Sequence, residues 1–105
     1  MTYGTIVRVA APIQAYEAAH AEIMKTADGP LDVAGFILHT ARATDTGFEI
    51  IEVWESREQA DAFNRDVVWP AMQRSGAPAD GPEPEVIEFE PTSVLTGRPY
   101  NSDAR

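Results

Sequence analysis

Two residues, His39 and Glu52, are the strongest candidates for acid–base chemistry in this sequence. They fall in two predicted strands joined by a hairpin turn at residues 44–47, and a four-residue turn pairs His39 with Glu52. Side chains opposite each other on antiparallel strands lie about 5 Å apart, within reach of a hydrogen bond. A carboxylate raises the basicity of histidine and fixes its tautomer, so His39 is a candidate general base. An equally weighted alternative is a polar pair that catalyses nothing.

The same register sorts the other residues of these strands onto the two faces of the sheet, with Ile37 opposite Trp54. One face is predicted to carry large apolar groups around the candidate pair: Ile37, Ala41, Phe48, Ile50 and Trp54. The other face is predicted to lie beneath the chain's own helices and to consist of Phe36, Leu38, Ile51 and Val53.

The elements that position these residues follow the order β-α-β-β-α-β, which predicts an α+β, ferredoxin-like fold with a four-stranded antiparallel sheet. A first helix is expected at residues 13–27, and strands at residues 2–10, 33–43, 48–55 and 85–95. We interpret residues 1–95 as one domain and residues 96–105 as a polar C-terminal tail.

The second helix begins with a capping box, in which Ser56 is the N-cap and Gln59 reaches back to it. Pro70 interrupts this helix because proline lacks the N–H that a helix interior needs, and a short turn then runs to Arg74. The spacing of the apolar residues in this helical region predicts four buried positions: Ala60, Phe63, Val67 and Ala71.

Composition excludes several classes of function. The chain has 105 residues, a formal net charge of −9 and no cysteine. The negative charge disfavours nucleic acid, and the absence of cysteine excludes disulfides and thiolate catalysis. No apolar run is long enough for a membrane span and no secretory leader is evident, so we expect a cytoplasmic protein without a membrane partner. The two histidines have no ligand-spaced partner, so no metal site is predicted.

Two helices can cover only one face of a four-stranded sheet. The face with Ile37, Phe48, Ile50 and Trp54 would then expose an apolar patch that monomers rarely show. We therefore predict a homodimer in which this face meets a second subunit around a partly polar cavity.

Several stretches resemble the antibiotic biosynthesis monooxygenase-like proteins of the dimeric α+β barrel superfamily. They are residues 35–40 (GFILHT), residues 51–56 (IEVWES), Ala62-Phe63 and Trp69-Pro70-Ala71. The resemblance covers residues 2–95, and its most specific part is Glu52-x-Trp54-Glu55-Ser56. It implies a dimeric barrel and a tryptophan, here Trp54, that lies against the substrate. The alternative for Trp54 is packing at the dimer interface.

The sequence also departs from the family's patterns. Haem-degrading relatives usually have a histidine where this chain has Asn64, which argues against haem. Monooxygenase members often have an asparagine on strand three, where this chain has Ile50. The usual oxygenase set is therefore incomplete. Because haem is disfavoured and no metal site is predicted, no cofactor is expected.

The predicted ligand is a small aromatic or hydrophobic molecule. Arg8 could point into the cavity and balance Glu52, or lie at the surface, and Arg74 could bind acidic groups at the cavity mouth. We interpret His20 and Tyr16, both on the apolar stripe of the first helix, as structural. The side chains expected to contact the ligand are Trp54, Ile37, Ile50, Phe48, Arg8, Asn64 and Arg74.

Three functions fit these residues. The first is a cofactor-independent monooxygenase, in which His39, supported by Glu52, deprotonates a phenolic or enolic carbon acid whose anion reacts with dioxygen. The second is a module that binds a hydrophobic metabolite without turnover. The third is a non-oxidative cyclase or isomerase that uses the same base.

Overall fold

The chain folds in the predicted order, β-α-β-β-α-β. The computed structural model describes residues 2–25, 33–76, 81 and 83–95. The elements are β1 (Tyr3–Val9), α1 (Ile13–Met24), β2 (Phe36–Thr44), β3 (Gly47–Trp54), α2 (Arg57–Phe63), a π-helical segment (Asn64–Val68), α3 (Trp69–Arg74) and β4 (Glu85–Phe89). Among the described residues, no helix has the length and hydropathy needed to cross a bilayer. The predicted tail at 96–105 lies outside the described residues.

The four strands form one antiparallel sheet in the order β2-β3-β1-β4. This is the arrangement of the ferredoxin-like fold, so the predicted fold class is confirmed. Strand β2, which carries His39, lies at an edge of the sheet, and β3, which carries Glu52, lies inside it.

The β2–β3 hairpin pairs His39 with Glu52, as the sequence predicts. The turn is tighter than expected, because Thr44 pairs with Gly47 and only two residues lie between them. The register shifts between Phe36 and Leu38, so Phe36 pairs with Trp54. The predicted pairing of Ile37 with Trp54 is therefore wrong, because an irregularity at Ile37 moves Phe36 to the other face.

The helices cover the opposite face of the sheet from the one predicted. Trp54 is fully buried and packs with Ala60 and Phe63 of α2, and Phe48 is buried on the same face. Leu38 remains 45% exposed on the other face. The predicted placement of Phe48, Ile50 and Trp54 against a second subunit is therefore wrong, as is that of Leu38, Ile51 and Val53 beneath the helices. Alternation shows which residues share a face, but both faces here carry large apolar groups.

The capping box ties the start of α2 to the start of β2. The Ser56 hydroxyl accepts a hydrogen bond from the Gln59 N–H at 3.2 Å and donates one to Gln59 Oε1 at 2.9 Å. The Gln59 side chain fills the space where Gly35, at φ +81°, lacks a Cβ. The Glu55 N–H also donates to the Gly35 carbonyl at 2.7 Å. These contacts hold the ends of β2 and β3 beside α2.

The second helical region continues past Pro70 instead of breaking there. Pro70 lies in the first turn of α3, and the π-helical segment Asn64–Val68 comes directly before it. The missing N–H and the proline ring disrupt the contact with the carbonyl four residues earlier, and the wider π turn accommodates this. Ala60, Phe63 and Ala71 are buried, as predicted, and Val67 is partly buried against the core.

Candidate active site

His39 and Glu52 form a direct hydrogen bond beneath α1. His39 Nδ1 lies 2.7 Å from Glu52 Oε2, and the two side chains are 26% and 13% exposed. A charge-assisted contact of this length is short and strong. The pair predicted from the hairpin register therefore exists in the fold, largely shielded from solvent.

Glu52 holds a second partner with its other oxygen. The Trp54 Nε1–H donates to Glu52 Oε1 at 3.1 Å. The two residues are neighbours on one face of β3, and Trp54 has no exposed surface. An indole N–H can only donate, and the His39 contact uses the second oxygen, so Glu52 accepts at both oxygens as a carboxylate does. Trp54 thus fixes the orientation of the carboxylate.

Helix α1 supplies a third functional group, the hydroxyl of Tyr16. It lies 2.6 Å from His39 Nε2, the ring nitrogen that faces away from Glu52. The rings of Tyr16 and His39 stack with centroids 5.9 Å apart, and the Tyr16 ring also contacts Phe48 at 5.7 Å. Both nitrogens of His39 are therefore held by side chains of other elements.

These contacts fix the direction of each hydrogen bond. Glu52 can only accept, so His39 carries its proton on Nδ1 and its Nε2 offers a lone pair. The Tyr16 hydroxyl then donates to Nε2. The assignment follows from the pattern of donors and acceptors around the ring.

His20 completes the row of polar groups one helical turn after Tyr16. Its Nδ1 lies 3.3 Å from the Tyr16 hydroxyl, and its ring stacks against those of Tyr16 and His39 at 5.5 Å and 6.2 Å. We call this hydrogen-bonded row the relay; it consists of His20, Tyr16, His39, Glu52 and Trp54.

Tyr16 and His20, which the sequence indicates as structural, contact His39 in the fold, and this contact was not predicted. A signal was present, since residues four apart on a helix share a face and a tyrosine four residues before a histidine aligns two polar groups. The apolar stripe of the first helix could not show that the face carrying Tyr16 and His20 would pack against His39.

The predicted ligand contacts are dispersed. Phe48 and Ile50 lie on the relay's face of the sheet, and Ile37 lies at the irregularity in β2. Trp54 has no free surface for a ligand in this conformation. The rings of Phe36 and Phe63 pack against its ring, each with a centroid-to-centroid distance of 5.4 Å.

Arg8 lies on the other face of the sheet and cannot balance Glu52. Its Nε donates to Glu49 Oε2 at 3.0 Å, and Arg42 Nε donates to Glu49 Oε1 at 3.1 Å. These bonds, with Arg8 the stronger influence, hold the pKa of the Glu49 carboxyl below its usual value. Arg8 also pairs with Glu85 at 3.6 Å. The parity of β1 explains this position, because Arg8 pairs with Glu49 and so shares its face, which agrees with the predicted surface alternative.

Arg74 and Asn64 lie apart from the relay's hydrogen bonds. Arg74 Nε donates to Glu22 Oε1 at 3.3 Å, which links α3 to α1. Glu22 also pairs with Lys25, and bonds from Lys25 and then Arg74 lower the pKa of its carboxyl. Asn64 is exposed at the start of the π-helical segment. A role of either residue in ligand binding stays a prediction.

An open depression of about 380 Å³ lies between the β1–α1 connection and the β2–β3 turn, lined by residues 10–13 and 43–47. Ile13, in its wall, stands three residues before Tyr16 on α1, and Ala43 shares the helix-covered face with His39. The depression and the relay therefore use the same two elements.

Comparison with known proteins identifies the fold. No family model and no curated protein matches the sequence. A proposed antibiotic biosynthesis monooxygenase from Chloroflexus aurantiacus J-10-fl superimposes with a TM-score of 0.64 at 20% identity, covering 91% of this chain and 98% of that one. One from Nitrosomonas europaea gives 0.62 at 14% identity, covering 87% and 90%. A mutant of SnoaB from Streptomyces nogalater, a cofactor-independent oxygenase, gives 0.52 at 20% identity, covering 91% and 96%.

These identities are low, and what the matches share with the chain is the path of the backbone. The sequence resemblance is confirmed at that level: the chain has the ferredoxin-like α+β fold of the antibiotic biosynthesis monooxygenase-like structures.

Proposed function

We propose that this protein is a cofactor-independent oxygenase in which His39, oriented by Glu52, removes a proton from a flat aromatic molecule with a phenolic or enolic carbon acid. The observation that carries the proposal is the hydrogen-bonded chain from Glu52 through His39 to Tyr16. Glu52 stabilises the imidazolium that forms when His39 gains a proton.

The reaction balances with dioxygen as the second substrate. A C–H bond of the substrate breaks, its proton goes to the His39 site, and the electron pair stays on the delocalised carbanion. The carbanion forms a C–O bond with dioxygen, and the resulting peroxide takes a proton. Loss of water then converts the original CH₂ group into a ketone, with one oxygen atom in the product and one in water.

Two further observations support the assignment. The fold is that of SnoaB, which is described as a cofactor-independent oxygenase. The depression at residues 10–13 and 43–47 borders the elements that carry Tyr16 and His39, although neither residue lines it. Within this scheme Trp54 orients the Glu52 carboxylate through the hydrogen bond from its indole N–H. Stacking of Trp54 on a ligand would require the buried ring to become exposed.

Anthrone is a suitable probe, because its central CH₂ is acidic and its oxygenation gives anthraquinone and water. We expect the wild-type protein to accelerate oxygen uptake and anthraquinone formation, and His39→Ala to abolish the acceleration. Thr40→Ala is the matched control, since Thr40 is the next residue on β2 and its side chain is exposed on the other face. Full turnover by His39→Ala would overturn the assignment of the base.

A second candidate is a binding module without turnover, and the complete burial of Trp54 is the observation that favours it. Unchanged ligand recovered from the purified protein, with no oxygen uptake, would support this function. Conversion of a substrate without oxygen uptake would instead indicate the cyclase or isomerase.

We also propose a homodimer, formed through the face of the sheet that the helices leave uncovered. This open face carries Ile6, Leu38, Ile51 and Ile87, together with Arg8, Arg42, Glu49 and Glu85. Its apolar part is the kind of surface that monomers seldom leave in water. Sedimentation should show a wild-type dimer, a monomeric Ile51→Lys variant and a dimeric Gln73→Lys control on α3. A wild-type monomer would exclude the dimer.

A further inference from the structure

We propose that a row of alternating charges on the open face selects how two copies of this chain pair, with the two-fold axis of the dimer parallel to the strands; this rests on the homodimer proposed above. The row crosses the whole sheet at one level, because its neighbours are paired partners on adjacent strands. From the β2 edge to the β4 edge it consists of Arg42, Glu49, Arg8 and Glu85. Its charges are therefore positive, negative, positive and negative in turn.

The two ends of the row reach solvent and can meet a second chain. In the middle, the Glu49 side chain is 10% exposed and accepts hydrogen bonds from Arg8 and Arg42 at 3.0 and 3.1 Å. At the ends, the side chains of Arg42 and Glu85 are 67% and 65% exposed, and each contacts one neighbour within the row. A second copy on this face therefore meets one positive end and one negative end.

Symmetry determines which charges face each other. For two aligned sheets packed face to face, the two-fold axis runs between the sheets, either along the strands or across them. An axis along the strands reverses the strand order and keeps every residue at its own level. Strand β2 then faces β4 of the partner, and β3 faces β1. Arg42 accordingly meets the partner's Glu85, and Glu49 meets the partner's Arg8, so all facing charges are opposite.

The apolar part of the open face favours the same axis. The next level along the sheet is apolar on three of its four strands and consists of Thr40, Ile51, Ile6 and Ile87. An axis along the strands places this level against itself, so that Ile51 meets the partner's Ile6. An axis across the strands places β2 on β2, and Arg42 then faces either a like charge or apolar side chains. Both contacts are unfavourable, because like charges repel and an unpaired charge loses its water.

Reversing the charge at either end of the row tests this arrangement. A homodimer of Arg42→Glu or of Glu85→Arg contains two contacts between like charges. Each variant alone should dimerise on the order of 10²-fold more weakly than the wild type in sedimentation equilibrium, from about tenfold at each contact. In an equimolar mixture of the two variants, all facing charges are opposite again. A heterodimer should therefore form with about the wild-type affinity, and native mass spectrometry distinguishes it from both homodimers by mass.

Arg65→Glu is the matched control, because it changes the net charge as Arg42→Glu does but lies on the π-helical segment, where Arg65 pairs with Asp66. It should remain a homodimer of wild-type affinity. The double variant Arg42→Glu/Glu85→Arg separates contacts between chains from those within one chain. It places like charges side by side within the row but restores opposite charges across the interface, so it should dimerise about as tightly as the wild type.

The outcomes distinguish the axis from the dimer itself. An excess of heterodimer over both homodimers is the expected result. A statistical mixture of the three dimers, or an Arg42→Glu homodimer as tight as the wild type, would overturn the proposed axis and leave the dimer in place. A folded but monomeric double variant would also overturn it. A wild-type monomer would exclude the homodimer, and with it the arrangement of the row.

Discussion

Replacing Glu52 by glutamine should reverse the tautomer of His39. The carboxylate accepts from two N–H groups, whereas an amide offers one acceptor and one donor. Buried Trp54 can only donate, so it takes the amide oxygen. The amide NH₂ then faces His39 Nδ1, which must become the acceptor and move its proton to Nε2. His39 can then no longer accept the proton of Tyr16.

The size of the effect follows from these contacts. Two bonds to a charged group, about 1.5–3 kcal/mol each, become bonds between neutral groups, about 0.5–1.5 kcal/mol each. The free energy of unfolding should therefore fall by about 2–3 kcal/mol. Turnover should fall on the order of 10⁴-fold, the effect of the same carboxylate-to-amide change beside the catalytic histidine of a serine protease triad.

Nitrogen-15 NMR of the histidine rings measures the tautomer directly, and urea unfolding measures the stability. The wild type should show a protonated Nδ1 on His39, and Glu52→Gln a protonated Nε2. Glu55→Gln is the control, because Glu55 is exposed beyond the end of β3. A Glu52→Gln variant that keeps its proton on Nδ1, or keeps wild-type turnover, would refute the reasoning.

Three further predictions concern the groups around the relay and the sheet. Trp54→Phe, which removes the donor to Glu52 and leaves a gap, should lower the free energy of unfolding in urea by about 1–3 kcal/mol, and unchanged stability would argue against that role. Burial, and then the bond to Glu88, raise the pKa of Tyr3 from 10.0 to about 12. The wild type should thus lose stability as pH rises through 10 to 12, a loss that Tyr3→Phe should lack in alkaline melts. The pKa of Glu49 is lowered from 4.5 by its bonds to Arg8 and Arg42. The wild type should therefore be more stable than Glu49→Gln at pH 7, and this difference should be lost as the pH falls below 4.5. A difference that persisted at low pH in urea unfolding would contradict this prediction.

The pairing of His39 with Glu52 can be predicted from the sequence because a hairpin turn fixes the register of both strands. Shortening the predicted turn from four residues to two removes one residue from each side and leaves the pairing intact. An irregularity within a strand carries no such signal. At Ile37 it changes the face on which Phe36 lies, and only packing against Trp54 and the helix beyond it reveals the change.

The face covered by helices could not be predicted, because it depends on which apolar set packs better against the helices. Phe36, Phe48 and Trp54 provide three aromatic rings on one face, and Phe63 of α2 packs against one of them. The sequence shows the rings but not the shape of the groove between the helices. The contact of Tyr16 with His39 was not predicted for the same reason, since it depends on the strand that α1 crosses.

Exchange of the anthrone CH₂ hydrogens with solvent deuterium, measured without oxygen, tests most directly whether His39 and its partners remove a proton from a carbon acid. Deuterium incorporation at the CH₂ group in D₂O, followed by mass spectrometry, reports proton removal without the oxygen step. The proposed mechanism predicts that the wild type accelerates this exchange well above buffer, and that His39→Ala does not while Thr40→Ala does. Exchange by His39→Ala at the wild-type rate, or a wild-type rate equal to that of buffer, would contradict it.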